Sequence, residues 1–214
     1  MGFDAGSGGI LACVTTQPAS DLDYDAVVLA GGAARRLGGV DKAAVEIAGT
    51  RLLDRVLTAC SSAASTVVVG PPRTTRRPVL WTREQPPGSG PVAALAVAMP
   101  LLSAPVVAVL AADLPFVDSA CLHHLVEAVG QADGAVLVDT AGRDQPLLAA
   151  YRRQALERRL TEIGSPRGVP LHRLVAGLKL NRLPDPAGAA FDCDTWADVA
   201  AARSRSGKGG HRAG

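Results

Sequence analysis

The chain is 214 residues long, 48% apolar by the broad count, with 22 basic and 20 acidic residues and a formal charge of +2. That length suits one domain with a substantial core. Near-balanced charge with only three Phe, two Tyr and two Trp excludes the basic, aromatic-interleaved surface of a nucleic-acid binder. The 23 glycines and 15 prolines, set among abundant Ala, Val and Leu, indicate a closely packed small-residue core with many turns, not disorder, collagen or a disulfide scaffold. Cys13, Cys60, Cys121 and Cys193 lie far apart without a C-x-x-C pair and read as reduced, mostly buried thiols of a cytoplasmic protein.

Residues 1–23 are rich in Gly, Ser and Thr and precede the first basic residue, Arg35, so they read as a loose leader without a secretory n-region. Asp25 to Ala30 is a short buried strand ended by Gly31 and Gly32. After a glycine-rich loop, Leu52, Leu53, Val56, Leu57 and Cys60 recur at helical spacing and predict a helix over 51–63. The run from Thr66 to Val69, closed by Gly70, predicts a second buried strand, and Pro78 to Trp81 a third. Between Glu84 and Asp113 no residue is charged, a stretch long enough to raise the question of a membrane span. Pro91, Pro100 and Pro105 divide it into a short helix over 91–99, a turn and a strand over 105–111, so it is core. Asp118 N-caps a helix in which Leu122, Leu125, Val126 and Val129 share a face. Strands follow at 135–138 and 146–150, then a helix at 152–163 and a short one from Pro170. A terminal helix over 196–203 is capped by Asp194 or Thr195. This alternation implies an α/β fold, a mainly parallel sheet covered by helices on both faces, in one domain over 24–203. The glycine-rich basic tail, 204–214, is expected to be solvated and disordered, with a nucleic-acid arm as the competing reading.

Open α/β sheets bind ligands beyond the carboxyl ends of their strands. The first such end runs from Leu29 and Ala30 through Gly31 and Gly32 to Lys42. Its four glycines allow backbone N–H groups to approach an anion, and Arg35, Arg36 and Lys42 add positive charge. It is neither a Walker A loop nor a G-x-G-x-x-G fingerprint, so on composition alone phosphate binding competes evenly with a plain βα turn. Asp113 closes the apolar strand over 106–112 at the same edge with no basic neighbour in sequence, which suits a hard divalent cation; the competing reading is a turn aspartate before Pro115. Asp192 and Asp194 flank Cys193, so in an extended segment both carboxylates share one side. His123 and His124 are adjacent on a helix and diverge too far for a metal pair.

The run LAGGAARRLGGVDKAAVEIAGTRL (29–52) resembles the signature of the molybdenum cofactor guanylyltransferase family, among Rossmann-like nucleotidyltransferases. GPVAAL (90–95), AADLPF (111–116), RDQPLLAAYR (143–152) and FDCDTWADVA (191–200) continue the resemblance in order, from about Asp25 to Ala202. It implies transfer of GMP from GTP to molybdopterin, with Mg2+ as cofactor, maturation proteins among the partners, and neither nucleic acid nor membrane. It implies nucleotide contacts for Leu29, Ala30, Gly31 and Gly32, phosphate roles for Arg36 and Lys42, and a metal ligand in Asp113. The Leu-Ala-Gly-Gly ending in Gly32 stands where cytidylyl relatives carry Leu-Ala-Ala-Gly, and by the resemblance it favours guanine. Gly70 stands where the family often has Asn, leaving only backbone contact. Glu84 falls near a nucleotide-binding Asp, with Arg83 its competitor for that register. Asp192 and Asp194 replace two Asn residues and are assigned to the metal, their separate roles left open. Gln145 replaces a common His. Arg167 either holds the acceptor's phosphate or is a solvated loop residue. Two readings compete with guanylyl transfer: a relative using CTP or a sugar phosphate, and a silent pterin carrier.

Overall fold

In the computed structural model, which describes residues 23–31, 40–185 and 187–209, the apolar runs assemble into one seven-stranded sheet. In chain order the elements are β1 (Tyr24–Leu29), a two-stranded hairpin of β2 (Glu46–Ile47) and β3 (Thr50–Arg51), α1 (Leu52–Ala59), β4 (Thr66–Val69) and β5 (Leu80–Thr82). Next come α2 (Pro91–Ala98), β6 (Val106–Ala111), α3 (Ser119–Ala128), β7 (Gly134–Val138) and β8 (Asp144–Arg152). The chain then forms α4 (Arg153–Ile163), α5 (Leu171–Val175), β9 (Leu180–Pro184) and α6 (Trp196–Gly209). The spatial order is β5-β4-β1-β6-β8-β7-β9. Neighbours among the first four are parallel, β8 runs antiparallel to both β6 and β7, and β9 is parallel to β7.

Side chains alternate across a strand, so each strand feeds two cores. Ala26, Val28, Val68, Ala108 and Leu110 point to the face covered by Leu53, Val56 and Leu57 of α1 and Leu122, Leu125 and Val126 of α3. Val27, Val67, Val69, Val107 and Val109 point the other way, under Val92 and Leu95 of α2, Leu156 of α4 and Leu171 and Leu174 of α5. Burying each such Val or Leu contributes about 1.5–3 kcal/mol, enough for a core with few aromatics. Asp25 is the charged exception in β1. It is fully buried, and its Oδ2 accepts from the N–H groups of Ser103 and Ala104 at 2.7 and 2.8 Å, closing the turn that follows α2.

A third, smaller core of Val45, Ile47, Leu52, Cys193, Val199 and Ala202 joins the hairpin to α6. Thr195 rather than Asp194 caps α6: its N–H and hydroxyl donate to the Asp198 carboxylate at 2.7 Å each, and the Asp198 N–H donates back to Oγ1 at 3.2 Å. Other outcomes differ from the sequence reading. The third strand lies at 80–82 instead of 78–81, and β2, β3 and β9 were not expected. The helix read as ending at Arg203 continues to Gly209, which corrects the disordered tail over 204–209. Its basic residues fasten it: Arg203 donates to the Glu46 carbonyl, and Arg205 to the carbonyls of Ala187 and Gly188. The expected leader over 1–22 lies outside the described residues. No helix among the described residues is long and apolar enough to cross a membrane.

Candidate functional site

Parallel strands put their carboxyl ends on one edge, so β1, β4, β5 and β6 deliver Gly31, Gly70, Glu84 and Asp113 to the same side of the sheet. Because β8 runs the other way, its beginning, Asp144 and Gln145, arrives at that edge too. A cavity of about 590 Å³ opens there, lined among others by Leu29, Gly31, Glu84, Gly88, Asp113 and Asp194. Its volume lies in the ordinary range for small-molecule sites. A second, more polar cavity of about 560 Å³ adjoins it and shares Gln145, Ala190, Asp192 and Asp194.

Lys42 sits between the carboxylates. Its Nζ donates to Asp113 Oδ2 at 3.1 Å and also to Asp194 Oδ1. Asp113, without a basic neighbour in sequence, therefore has one in space, 71 residues away. Burial opposes the Lys42 charge, but hydrogen bonds and attraction from Asp194 and Asp113 outweigh it, and its pKa is raised. The segment is held from outside, where Arg73 grips Asp41 with two bonds of 2.5 and 2.8 Å, and Asp41 in turn accepts from the Ala43 N–H at 3.2 Å. Desolvation first, then the like charges of Asp194 and Asp113, push Asp192 above the ordinary carboxylate range.

The loop bearing Asp192 and Asp194 has an internal frame. Asp185, itself buried, accepts from the N–H groups of Ala189 and Ala190 at 2.8 and 2.7 Å. The Cys193 N–H donates to the Asp113 carbonyl at 3.1 Å, tying this loop to the one after β6. The Cys193 side chain turns away into the third core, where burial, reinforced by nearby carboxylates, lifts its thiol to about 12. Cys60 and Cys121 are raised to about 12 as well, chiefly by burial, so these thiols stay protonated and inert.

At the opposite end of the first cavity, Glu84 is only 6% exposed. Its Oε1 accepts from the Gly88 N–H at 2.8 Å, while Oε2 is buried with no hydrogen-bond partner among the described residues. A buried, unpaired carboxylate oxygen costs free energy unless a ligand satisfies it. Arg83, its competitor in register, is exposed and lines neither cavity.

The other expected positions divide. Leu29 and Gly31 line the first cavity; Ala30 and Gly70 do not. Gly70 is glycine for a packing reason, because a Cβ there would stand 2.9 Å from the Ala30 carbonyl carbon and oxygen. Gly32 and Arg36 lie outside the described residues. Gln145 donates to Asp139 at 2.9 Å at the rim of the second cavity, and Arg167 is exposed and lines neither. No group of three or more His, Cys, Asp or Glu arranged to hold a metal occurs among the described residues. Sequence reasoning missed Arg73, Asp185 and Arg205. Asp185 alone carried a signal, the turn composition Asp-Pro-Ala-Gly over 185–188.

Comparison with known proteins gives the same picture. Residues 26–178 match the family model described as MobA-like NTP transferase domain. A probable molybdenum cofactor guanylyltransferase of Synechococcus elongatus is 34% identical over 142 residues, 61% of this chain and 73% of that protein. One from Natronomonas pharaonis is 31% identical over 135 residues, 59% of this chain and 66% of that protein, just under two thirds of its length. Among solved structures, molybdopterin-guanine dinucleotide biosynthesis protein A from Archaeoglobus fulgidus superposes with a TM-score of 0.65 at 24% identity, over 86% of this chain and 99% of that one. That last likeness bears on the fold.

Proposed function

The chain belongs to the MobA-like NTP transferase family, and from that premise we propose that it transfers GMP from GTP to molybdopterin-bound molybdenum cofactor, releasing pyrophosphate. The observation that carries this reading is the pairing of two features across one cavity: carboxylates converging on a cation at one end, and at the other Glu84, whose Oε2 has no partner among the described residues.

A carboxylate is an acceptor-only group. Guanine presents two adjacent donors on its Watson–Crick edge, N1–H and the 2-amino group. Adenine and cytosine present one amino group beside an acceptor nitrogen. Glu84 Oε2 therefore supports guanine over its competitors, and Gly31 lies close to the same carboxylate, its Cβ position 3.9 Å from Oε1. At the other end, Asp113 and Asp194 already converge on one positive centre, and their hard oxygens suit magnesium, which usually takes one or two carboxylates and completes its shell with phosphate oxygens and water. Asp113 and Asp194 would hold the ion, with Asp192 at the rim; when bound it supplies charge neutralisation of the phosphates.

The chemistry asked of the protein is positioning. A phosphate oxygen of the acceptor attacks the α-phosphorus of GTP in line, a new P–O bond forms, and the bond to the β-phosphate oxygen breaks with its electron pair leaving on pyrophosphate. Lys42, beside the carboxylates, would stabilise that charge together with Arg36 of the same glycine-rich loop. The adjoining polar cavity, which shares Gln145 and Asp192 with the first, would receive the acceptor. No covalent intermediate with the protein is required. The test is a panel of GTP, ATP, CTP and UTP with Mg2+ and purified molybdopterin acceptor, following pyrophosphate and product mass. A guanine dinucleotide product made from GTP alone is expected. Preferential turnover of CTP, or no turnover of any nucleotide, overturns the assignment.

A further inference from the structure

α6 does more than close the fold. From its third turn Arg205 reaches back, and its guanidinium carbon lies 3.8 Å above the centre of the Phe116 ring. The same guanidinium donates to the Gly188 carbonyl at 3.4 Å and to the Ala187 carbonyl. Phe116 packs against Phe191 with ring centres 5.7 Å apart and planes inclined by 50°. Phe116 is three residues past Asp113, and Phe191 immediately precedes Asp192. One side chain thus grips both loops that carry the site's carboxylates. Gly188 is shaped to admit it: φ is +67°, and a Cβ there would approach the Arg205 Nη1 to 2.9 Å.

We infer that Arg205 is a positioning residue for the carboxylate site, fixing the separation of Asp113 from Asp192 and Asp194 through the Phe116–Phe191 stack and the 187–188 turn. The inference rests on the nucleotidyl-transfer reading for its consequence in turnover, while its geometric content stands apart from that reading. A planar guanidinium is suited to the task, because it stacks on an aromatic face while its fork donates sideways to two carbonyls. Lysine supplies the charge without the fork. Displacement of a reacting group by about 1 Å can lower a rate on the order of a hundredfold, so slackening this grip acts on turnover more than on nucleotide affinity, whose Glu84 end it does not touch.

The experiment compares full-length wild type, Arg205→Ala and Arg205→Lys in three measurements: Mn2+ binding by electron paramagnetic resonance with and without GTP, steady-state turnover with both substrates, and thermal unfolding. Arg205→Ala is expected to weaken Mn2+ binding about fivefold or more and lower kcat about tenfold or more, leaving KM for GTP within about twofold. Arg205→Lys should fall between the two. Full rescue by Lys overturns the proposal in favour of a simple charge effect. A raised KM for the acceptor with unchanged Mn2+ affinity overturns it in favour of direct acceptor binding, since Arg205 also lines the second cavity. A lowered Tm with wild-type Mn2+ affinity and kcat at 25 °C overturns it in favour of a purely stabilising role. If wild type shows no turnover while the Mn2+ series behaves as expected, the assigned reaction fails and the positioning role stands. Should Arg205→Ala not be recovered folded, Arg205→Met, which keeps contact with the ring and removes the donors, is judged by the same results.

Discussion

Replacing Glu84 by Gln tests the guanine assignment at one atom. In the wild type, Oε1 holds the loop through the Gly88 N–H at 2.8 Å, and Oε2 is buried beside the cavity with no partner among the described residues. Gln keeps the loop bond by placing its carbonyl on Gly88, which forces its amide NH2 to the position of Oε2. A donor then confronts the two donors of guanine. The lost bond is charge-assisted, about 1.5–3 kcal/mol, and a buried donor left without a partner costs about 1–3 kcal/mol more. Taking only the smaller range, the Kd for GTP rises roughly tenfold to over a hundredfold at 1.4 kcal/mol per decade. Without nucleotide the variant exchanges one buried, unpaired polar group for another, an acceptor for a donor, so Tm changes little. Calorimetry with GTP and ITP, which lacks the 2-amino group, completes the cycle. Wild type favours GTP over ITP, and Glu84→Gln narrows that preference. Equal affinities of wild type for GTP and ITP, or of both proteins for GTP, would refute the base-reading role.

Asp113→Asn should retain the fold and lose on the order of a hundredfold or more in kcat, while Asp194→Asn is milder because the resembling family carries Asn there; pyrophosphate release at saturating Mg2+ distinguishes them. Lys42→Ala should lower kcat more than GTP affinity, and equal small changes in both would make it a bystander. Gly70→Ala should destabilise by about 1–3 kcal/mol in urea denaturation, since its Cβ meets Ala30 backbone at 2.9 Å. Gly31→Ala, whose Cβ finds nothing nearer than 3.8 Å, should leave stability unchanged and weaken GTP binding. Asp192 has its pKa raised in the folded state, so its contribution is favourable below the unfolded value near 4 and is lost as pH climbs through the folded one. Asp192→Asn should accordingly raise Tm at pH 7, with the gain vanishing below about pH 4; a gain independent of pH speaks against the charge.

The parts of this fold legible in the sequence are those whose physics is local. β4 and β6 are β-branched and apolar runs, and β1 is one but for Asp25, because both faces are covered, and α3 announces itself through Asp118, whose carboxylate accepts from the Cys121 N–H. β9 is Leu-Asn-Arg-Leu-Pro at the sheet's edge, half exposed, and its pairing with β7 is set by tertiary context instead of pattern. The end of α6 was illegible for a related reason. Ser204, Arg205 and Ser206 show no apolar period, and what holds them is a cation on a ring 89 positions earlier in the chain. In the site, Asp113 was marked by charge at the end of an apolar strand, and Glu84 only by the family resemblance. That Lys42 bridges Asp113 and Asp194 was not legible, because sequence distance says nothing about which strand ends meet.

That bridge fixes how charge must move when nucleotide arrives. Among the described residues the cavity presents Glu84, Asp113, Asp192 and Asp194 against Lys42, a net negative surface toward which a bare triphosphate would be repelled. Two like charges 4 Å apart cost about 4 kcal/mol at an effective dielectric constant of 20, so the phosphates enter favourably only with positive charge of their own. On the proposed reaction Asp113 and Asp194 would hold a divalent cation brought with the nucleotide, and its charge would release the Lys42 ammonium from the two carboxylates toward the phosphates. The resting ion pair therefore does two things at once. It keeps the two carboxylates at a spacing set by a cation, and on the proposed reaction it would hold the lysine ready for the charge that develops on pyrophosphate.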